Sequence, residues 1–199
     1  QTSRIFDEYG TALAREADPN AADKYTNATA NIPKVRSRGL EIDSIYSGIP
    51  NTTLRLAGAY TDSVYVEFPN SAQPSENGYS GAPAYQDVSG ETLPGASKVS
   101  FNLGVDYRLP VWNDKEFHTS LNAQYNSKFN SDNSLSSYGW IEGRTLVDFG
   151  IGLGNSKQTF DVNLVVKNLF DDDTPSTRTW NSYTPATPRW IGVTFSGRF

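Results

Sequence analysis

A chain of 199 residues, with 37% hydrophobic and 13% aromatic residues and a net charge of −5, is long enough for one modest domain or part of a larger one. Its 11 Tyr, 10 Phe and 4 Trp are too many for a disordered tail, and an acidic balance without a basic run argues against a nucleic-acid surface. The absence of Cys rules out disulfides and thiolate chemistry, and a single His, His118, rules out a multi-histidine metal site. No apolar run approaches the ~18 residues of a membrane-spanning helix, which says nothing about barrel strands of about ten alternating residues.

In chain order, residues 1–33 read as a loop or an irregular strand, with the alternating part between Arg4 and Ala14. Leu40 and Ile42 then alternate with Gly39, Glu41 and Asp43 in a strand over Val35–Tyr46, and Leu54, Leu56 and Tyr60 alternate with Arg55, Ala57, Ala59 and Thr61. The clearest alternation is Val99, Phe101, Leu103, Val105, Tyr107 and Leu109 against Ser100, Asn102, Gly104, Asp106 and Arg108. Phe117, Thr119, Leu121, Ala123 and Tyr125 repeat it, as do Val147, Phe149, Ile151 and Leu153. Phe160, Val162, Leu164 and Val166 follow, and Ile191, Val193, Phe195 and Phe199 close the chain. Period 2 with one apolar and one polar face is the signature of a strand between two environments.

Short turns at 48–52, 110–114 and 155–158 alternate with long polar loops at 66–97, 127–145 and 171–189. Consecutive antiparallel strands place alternate connections at opposite ends, so the short turns share one rim and the long loops the other. Outer-membrane barrels have this pattern, with short turns periplasmic and long loops outside. The polar face is built from Asn, Ser, Gly and Thr, which suits a hydrated lumen, and Tyr107, Trp112, Tyr125, Trp140, Trp190 and Phe199 lie near strand ends, where rings meet headgroups. A soluble β-sandwich binding module also alternates and remains the competing reading. Seven or eight strands leave a closure question, because a free edge in hydrocarbon strands backbone donors and acceptors. Loops this long favour part of a wide barrel over an eight-stranded one.

Catalytic chemistry is not expected: no feature sets a nucleophile beside a base. Asp171–Asp173 read as an acidic loop, His118 as a hydrogen-bonding residue of the polar face, and the alternating glycines of Gly150–Gly154 as a small-residue face without a following helix. No cofactor and no metal are expected. Contact with a bulky ligand falls to the long loops, where Tyr79, Tyr85, Tyr138, Trp140, Trp180, Asn181 and Tyr183 offer stacking faces and amide hydrogen bonds. The same residues could instead pack loop against loop.

Five segments together carry a family resemblance: SRGLEID at 37–43, AYTDS at 59–63, LPGASKVSFNLGVDY at 93–107, NLFDDD at 168–173 and PRWIGVTFSGRF at 188–199. Their order resembles the C-terminal part of a TonB-dependent outer-membrane receptor, whose complete chain has a 22-stranded barrel around an N-terminal plug. The resemblance implies an all-β transmembrane antiparallel barrel portion of about seven or eight strands in the bacterial outer membrane, active in energised uptake of a bulky nutrient such as a siderophore or glycan. It implies as partners the plug and remaining barrel, the TonB complex, outer-membrane lipid and the barrel-assembly machinery, with no nucleic acid. Plug, TonB box and roughly two-thirds of the barrel are not among these residues, and the resemblance expects them on the same or a separate chain. It also implies that Glu41 and Asp43 face the lumen or plug, and that Val193, Phe195 and Phe199 form the assembly signal, with Thr194, Ser196 and Arg198 inward. A passive porin-like or adhesive barrel remains an alternative.

Overall fold

A strand whose residues alternate in polarity gains most when its neighbours hold the same register, so that like faces merge across the sheet. The computed structural model describes residues 2–29, 31–32, 34–155 and 159–197. In chain order the elements are β1 (Thr2–Phe6), α1 (Glu8–Ala17), β2 (Tyr25–Thr29), β3 (Lys34–Tyr46), β4 (Thr52–Glu67), β5 (Val99–Pro110), β6 (Lys115–Asn126), β7 (Phe129–Asn130), β8 (Trp140–Ile141), β9 (Arg144–Asn155), β10 (Phe160–Lys167), β11 (Thr177–Arg178), β12 (Tyr183–Thr184) and β13 (Trp190–Gly197). Seven of them form one antiparallel sheet in the order β13-β10-β9-β6-β5-β4-β3, a meander with β3 and β13 at its edges.

Register carries one apolar row through all seven strands: Tyr46, Leu54, Val105, Leu121, Phe149, Val166 and Ile191 are successive cross-strand partners. The opposite face is polar and laced with ion pairs, among them Arg55–Asp106, Arg108–Glu116 and Lys167–Asp148. Among the described residues no second layer covers the apolar face. Even on interior strands Leu56, Phe101 and Leu164 keep 40%, 41% and 40% of their surface exposed, which a water-soluble sandwich would bury. From Val99 to Leu109 the alternation runs about 33 Å along β5, or about 25 Å of height at the usual barrel tilt of about 40°. That height matches the apolar band of an outer-membrane barrel.

The buried apolar cluster of Tyr65, Phe68 and Val88, packed by Ile32, Leu93 and Leu135, lies at the long-loop rim. Here β4 runs past its last β5 partner, Tyr60. At the other rim, tight turns rest on side chains that tolerate positive φ: Asn51 at 61°, Asn113 at 43° and Asp114 at 60°. Asn155 caps the third turn by accepting from the Thr159 and Phe160 backbone N–H groups at 2.8 and 3.2 Å. Residues 156–158 of that turn, and Arg198 and Phe199, lie outside the described residues.

Two sequence expectations change. Where alternation suggested a strand over Arg4–Ala14, β1 ends at Phe6 and a helix follows. Asp7 is its N-cap, accepting from Gly10 N–H at 2.8 Å, and the Ala-, Glu-, Leu- and Arg-rich run behind it favours helix. Trp190, read as a headgroup-facing ring, lies on the polar face opposite Lys167 and over Gly192, because Ile191, Val193 and Phe195 take the apolar side.

The facing assignment is testable by one pair of substitutions. Leu103→Arg should destabilise the lipid-embedded protein carrying this chain by about 2–4 kcal/mol in denaturant titration, while Asn102→Arg, on the other face, should change it by less than about 1 kcal/mol. Equal effects would refute the assignment.

Candidate functional site

The loop after β4 buries Phe68 and Val88 against Tyr65 of that strand, and the long, mostly polar loops are further ordered by ties to one another. The N-terminal hairpin joins the loop after β4 through the Ser3–Ser71 bridge and through Arg4, whose Nε–H donates to the Ala84 carbonyl at 2.9 Å. That loop joins the one after β6 through Gln86, donating to the Ser134 carbonyl at 2.6 Å, and through Glu76, which accepts from the Ser136 hydroxyl at 2.6 Å. The loop after β10 is tied in by Ser131, whose hydroxyl donates to the Arg178 carbonyl at 2.8 Å and accepts from Arg178 N–H at 2.7 Å. Four sequence-distant segments thus form one cap at one rim.

Within the cap, a cavity of about 600 Å³ opens between the first two loops, lined by Val88, Leu93, Phe129, Leu135, Lys128 and Trp140 among others. Its size falls in the range of small-molecule sites. The Lys128 ammonium lies 5.0 Å from the Trp140 ring centre, a cation–π contact that fixes the indole on the cavity wall. Charge is balanced, with Asp87 and Glu91 against Lys98 and Lys128. Hydrogen bonds from the Ser89 side chain and backbone N–H hold the Asp87 carboxyl below its ordinary range, so it is ionised at neutral pH.

The aromatic residues expected at the ligand do not converge on a single point. Trp140 lines the large cavity and, with Tyr138, a second one of about 380 Å³ beside Asp173 and Arg178. Tyr85 packs edge-on against Tyr25 at 5.7 Å, which in turn meets Phe6 at 6.0 Å. Tyr79 is exposed, and Trp180, Asn181 and Tyr183 sit exposed at the tip of the β11–β12 hairpin. Sequence reasoning missed Arg4, Glu76, Gln86 and Ser131, which build the cap through single contacts without periodicity.

The acidic run at 171–173 serves loop architecture. Asp171 accepts from Arg189 N–H at 2.8 Å and Asp172 from Thr174 N–H at 2.9 Å. Both surround Asn168, buried at φ 50°, whose side-chain amide donates to the Asp172 and Thr187 carbonyls at 2.9 Å each and accepts from Asp172 N–H at 2.9 Å. His118 pairs with Asp161 at 2.6 Å, reaching from β6 over β9 to β10. It passes across Gly152, where any Cβ would collide with the imidazole.

Residues 5–169 match the family described as TonB dependent receptor-like, beta-barrel, and the chain belongs to this family. Among solved structures it resembles the ferric yersiniabactin uptake receptor FyuA from Yersinia pestis at TM-score 0.60 and 12% identity, covering 80% of this chain and 23% of that one. The siderophore receptor PiuA from Acinetobacter baumannii gives 0.62 and 17%, over 80% and 21%. BauA, the ferric preacinetobactin receptor from the same organism, gives 0.57 and 16%, over 98% and 25%. Likeness at such identity shows the fold, and the chain spans only 21–25% of these three structures. No curated protein matches the sequence. Membership places the chain in the outer membrane, in a receptor and transport family rather than an enzyme family.

The cap should depend on Asn168. Asn168→Ala removes its side-chain hydrogen bonds and puts a less tolerant residue at positive φ, so local stability should fall by about 1–3 kcal/mol. Limited proteolysis within 171–189 should accelerate; an unchanged cleavage rate would contradict this role.

Proposed function

We propose that this chain is the C-terminal barrel section of a TonB-dependent transporter that takes up a bulky nutrient, of siderophore or glycan class, with energy delivered through the TonB complex. One observation carries the reading: a seven-stranded sheet exposes an apolar face while both of its edge strands, β3 and β13, have a side unpaired among the described residues. In hydrocarbon such edges need further strands, and a 22-stranded barrel supplies them.

In this arrangement the short turns are periplasmic and the loop cap is extracellular. Residues 1–33 then form an outer loop that carries its own hairpin and helix. Glu41 and Asp43, opposite Ala59 and Ala57 on the polar face, face the plug supplied by the rest of the receptor. Val193 and Phe195, exposed on the apolar side of β13, belong with Phe199 to the signal read by the assembly machinery. Ligand capture centres on Trp140 and Tyr138, which line cavities, with Tyr79, Tyr85, Trp180, Asn181 and Tyr183 as peripheral contacts.

Intact mass and N-terminal sequencing of the membrane-extracted species provide the test. A polypeptide several times longer than this chain, or a co-purifying partner, that carries plug and remaining strands is the expected result. A barrel without a plug would replace energised uptake by passive diffusion or adhesion, and a detergent-free 21.9 kDa monomer would overturn the transporter reading.

A further inference from the structure

Strand β3 carries two cations on the apolar side of the sheet. Its residues on that side are Arg36, Arg38, Leu40, Ile42, Ser44 and Tyr46, running from the long-loop rim toward the short turns. The charged pair therefore stands directly at the boundary of the apolar band, on the face opposite Glu41 and Asp43. Asp62 of β4 gathers both guanidinium groups on one oxygen, with Arg38 Nε at 3.1 Å and Arg36 Nη2 at 3.5 Å from Oδ2. The Asp62 side chain is 16% exposed, against 49% for Arg36 and 69% for Arg38.

One carboxylate cannot satisfy two guanidinium forks, each with five N–H donors. Among the described residues the trio keeps a net charge of +1, with many donors turned outward, side by side. Below it, Leu40 and Tyr60 are cross-strand partners, both exposed, forming an apolar surface. A cationic fork above an apolar surface matches a molecule with a charged oxygen-rich head and a hydrocarbon tail.

We propose that Arg36 and Arg38, held together by Asp62, bind the phosphate of an anionic lipid headgroup at the long-loop rim, with an acyl chain lying on Leu40 and Tyr60. The site goes beyond the transport reading and depends only on the apolar face meeting lipid. It fixes the height of the barrel in the bilayer at this strand.

Native mass spectrometry of the delipidated, detergent-solubilised protein that carries this chain tests the site, with dioleoylphosphatidic acid as probe and dioleoylphosphatidylcholine and inorganic phosphate as companions. Arg36→Gln with Arg38→Gln should lower phosphatidic acid retention about tenfold, with phosphatidylcholine unaffected. Inorganic phosphate at equal concentration should not displace the lipid. Equal retention by wild type and the double variant would overturn the proposal, as would displacement by inorganic phosphate, which would mark a free-anion site. A protein that needs no detergent would instead refute the membrane reading itself.

Discussion

Backbone pairing between neighbouring strands is the constraint on which everything else here depends. In hydrocarbon no water can satisfy an unpaired N–H or C=O, so each strand must be tied to neighbours along its length. Once the pairing register is set, side-chain direction is set too, because a slip of one residue would exchange the two faces. The row from Tyr46 to Ile191 exists because seven strands share one consistent register. The unpaired sides of β3 and β13 therefore matter beyond geometry: an apolar sheet with two open edges is a wall in need of neighbours.

The polar face follows a different logic. Its ion pairs lie in water-accessible positions, where each is worth at most about 1 kcal/mol. Their larger effect is to neutralise the middle of the wall. Crossing contacts such as His118–Asp161 need space above the intervening strand, and β9 supplies it with Gly150, Gly152 and Gly154 on that face. A Cβ at Gly150 would meet the Ser120 hydroxyl, and one at Gly154 the Asp161 carboxylate. The glycines thus let β6 and β10 side chains cover β9 without lifting the backbone.

Much of the sheet was legible because period 2 is a local signal repeated at every strand. Val99–Leu109 alone displays both faces, and the alternation of short and long connections orders the strands antiparallel. Other features were written in single residues. Asp7 turns an ambiguous run into a helix through one cap, and Trp190 lies on the polar face because its neighbours Ile191 and Val193 take the apolar one. The cap was illegible for a related reason: Gln86 meets Ser134, and Glu76 meets Ser136, across long separations with no periodicity. Aromatic residues could be picked out as exposed loop groups, but not which of them would share a cavity.

Holding the loops together and presenting surface to the outside fall to different side chains. The ties run from Arg4, Gln86 and Ser131 to backbone carbonyls, groups that every residue possesses. A carbonyl acceptor survives substitution of its own side chain, so these three ties do not depend on the side chains of Ala84, Ser134 and Arg178 as long as the donors remain. Tyr79, Tyr138, Trp180 and Tyr183 stand exposed beyond these ties. Exchange of an exposed ring alters what the cap can contact without removing a bond that orders it. A barrel wall fixed by register, bearing loops tied in large part through backbone acceptors, can therefore change its outer chemistry at exposed rings while these ties stay in place.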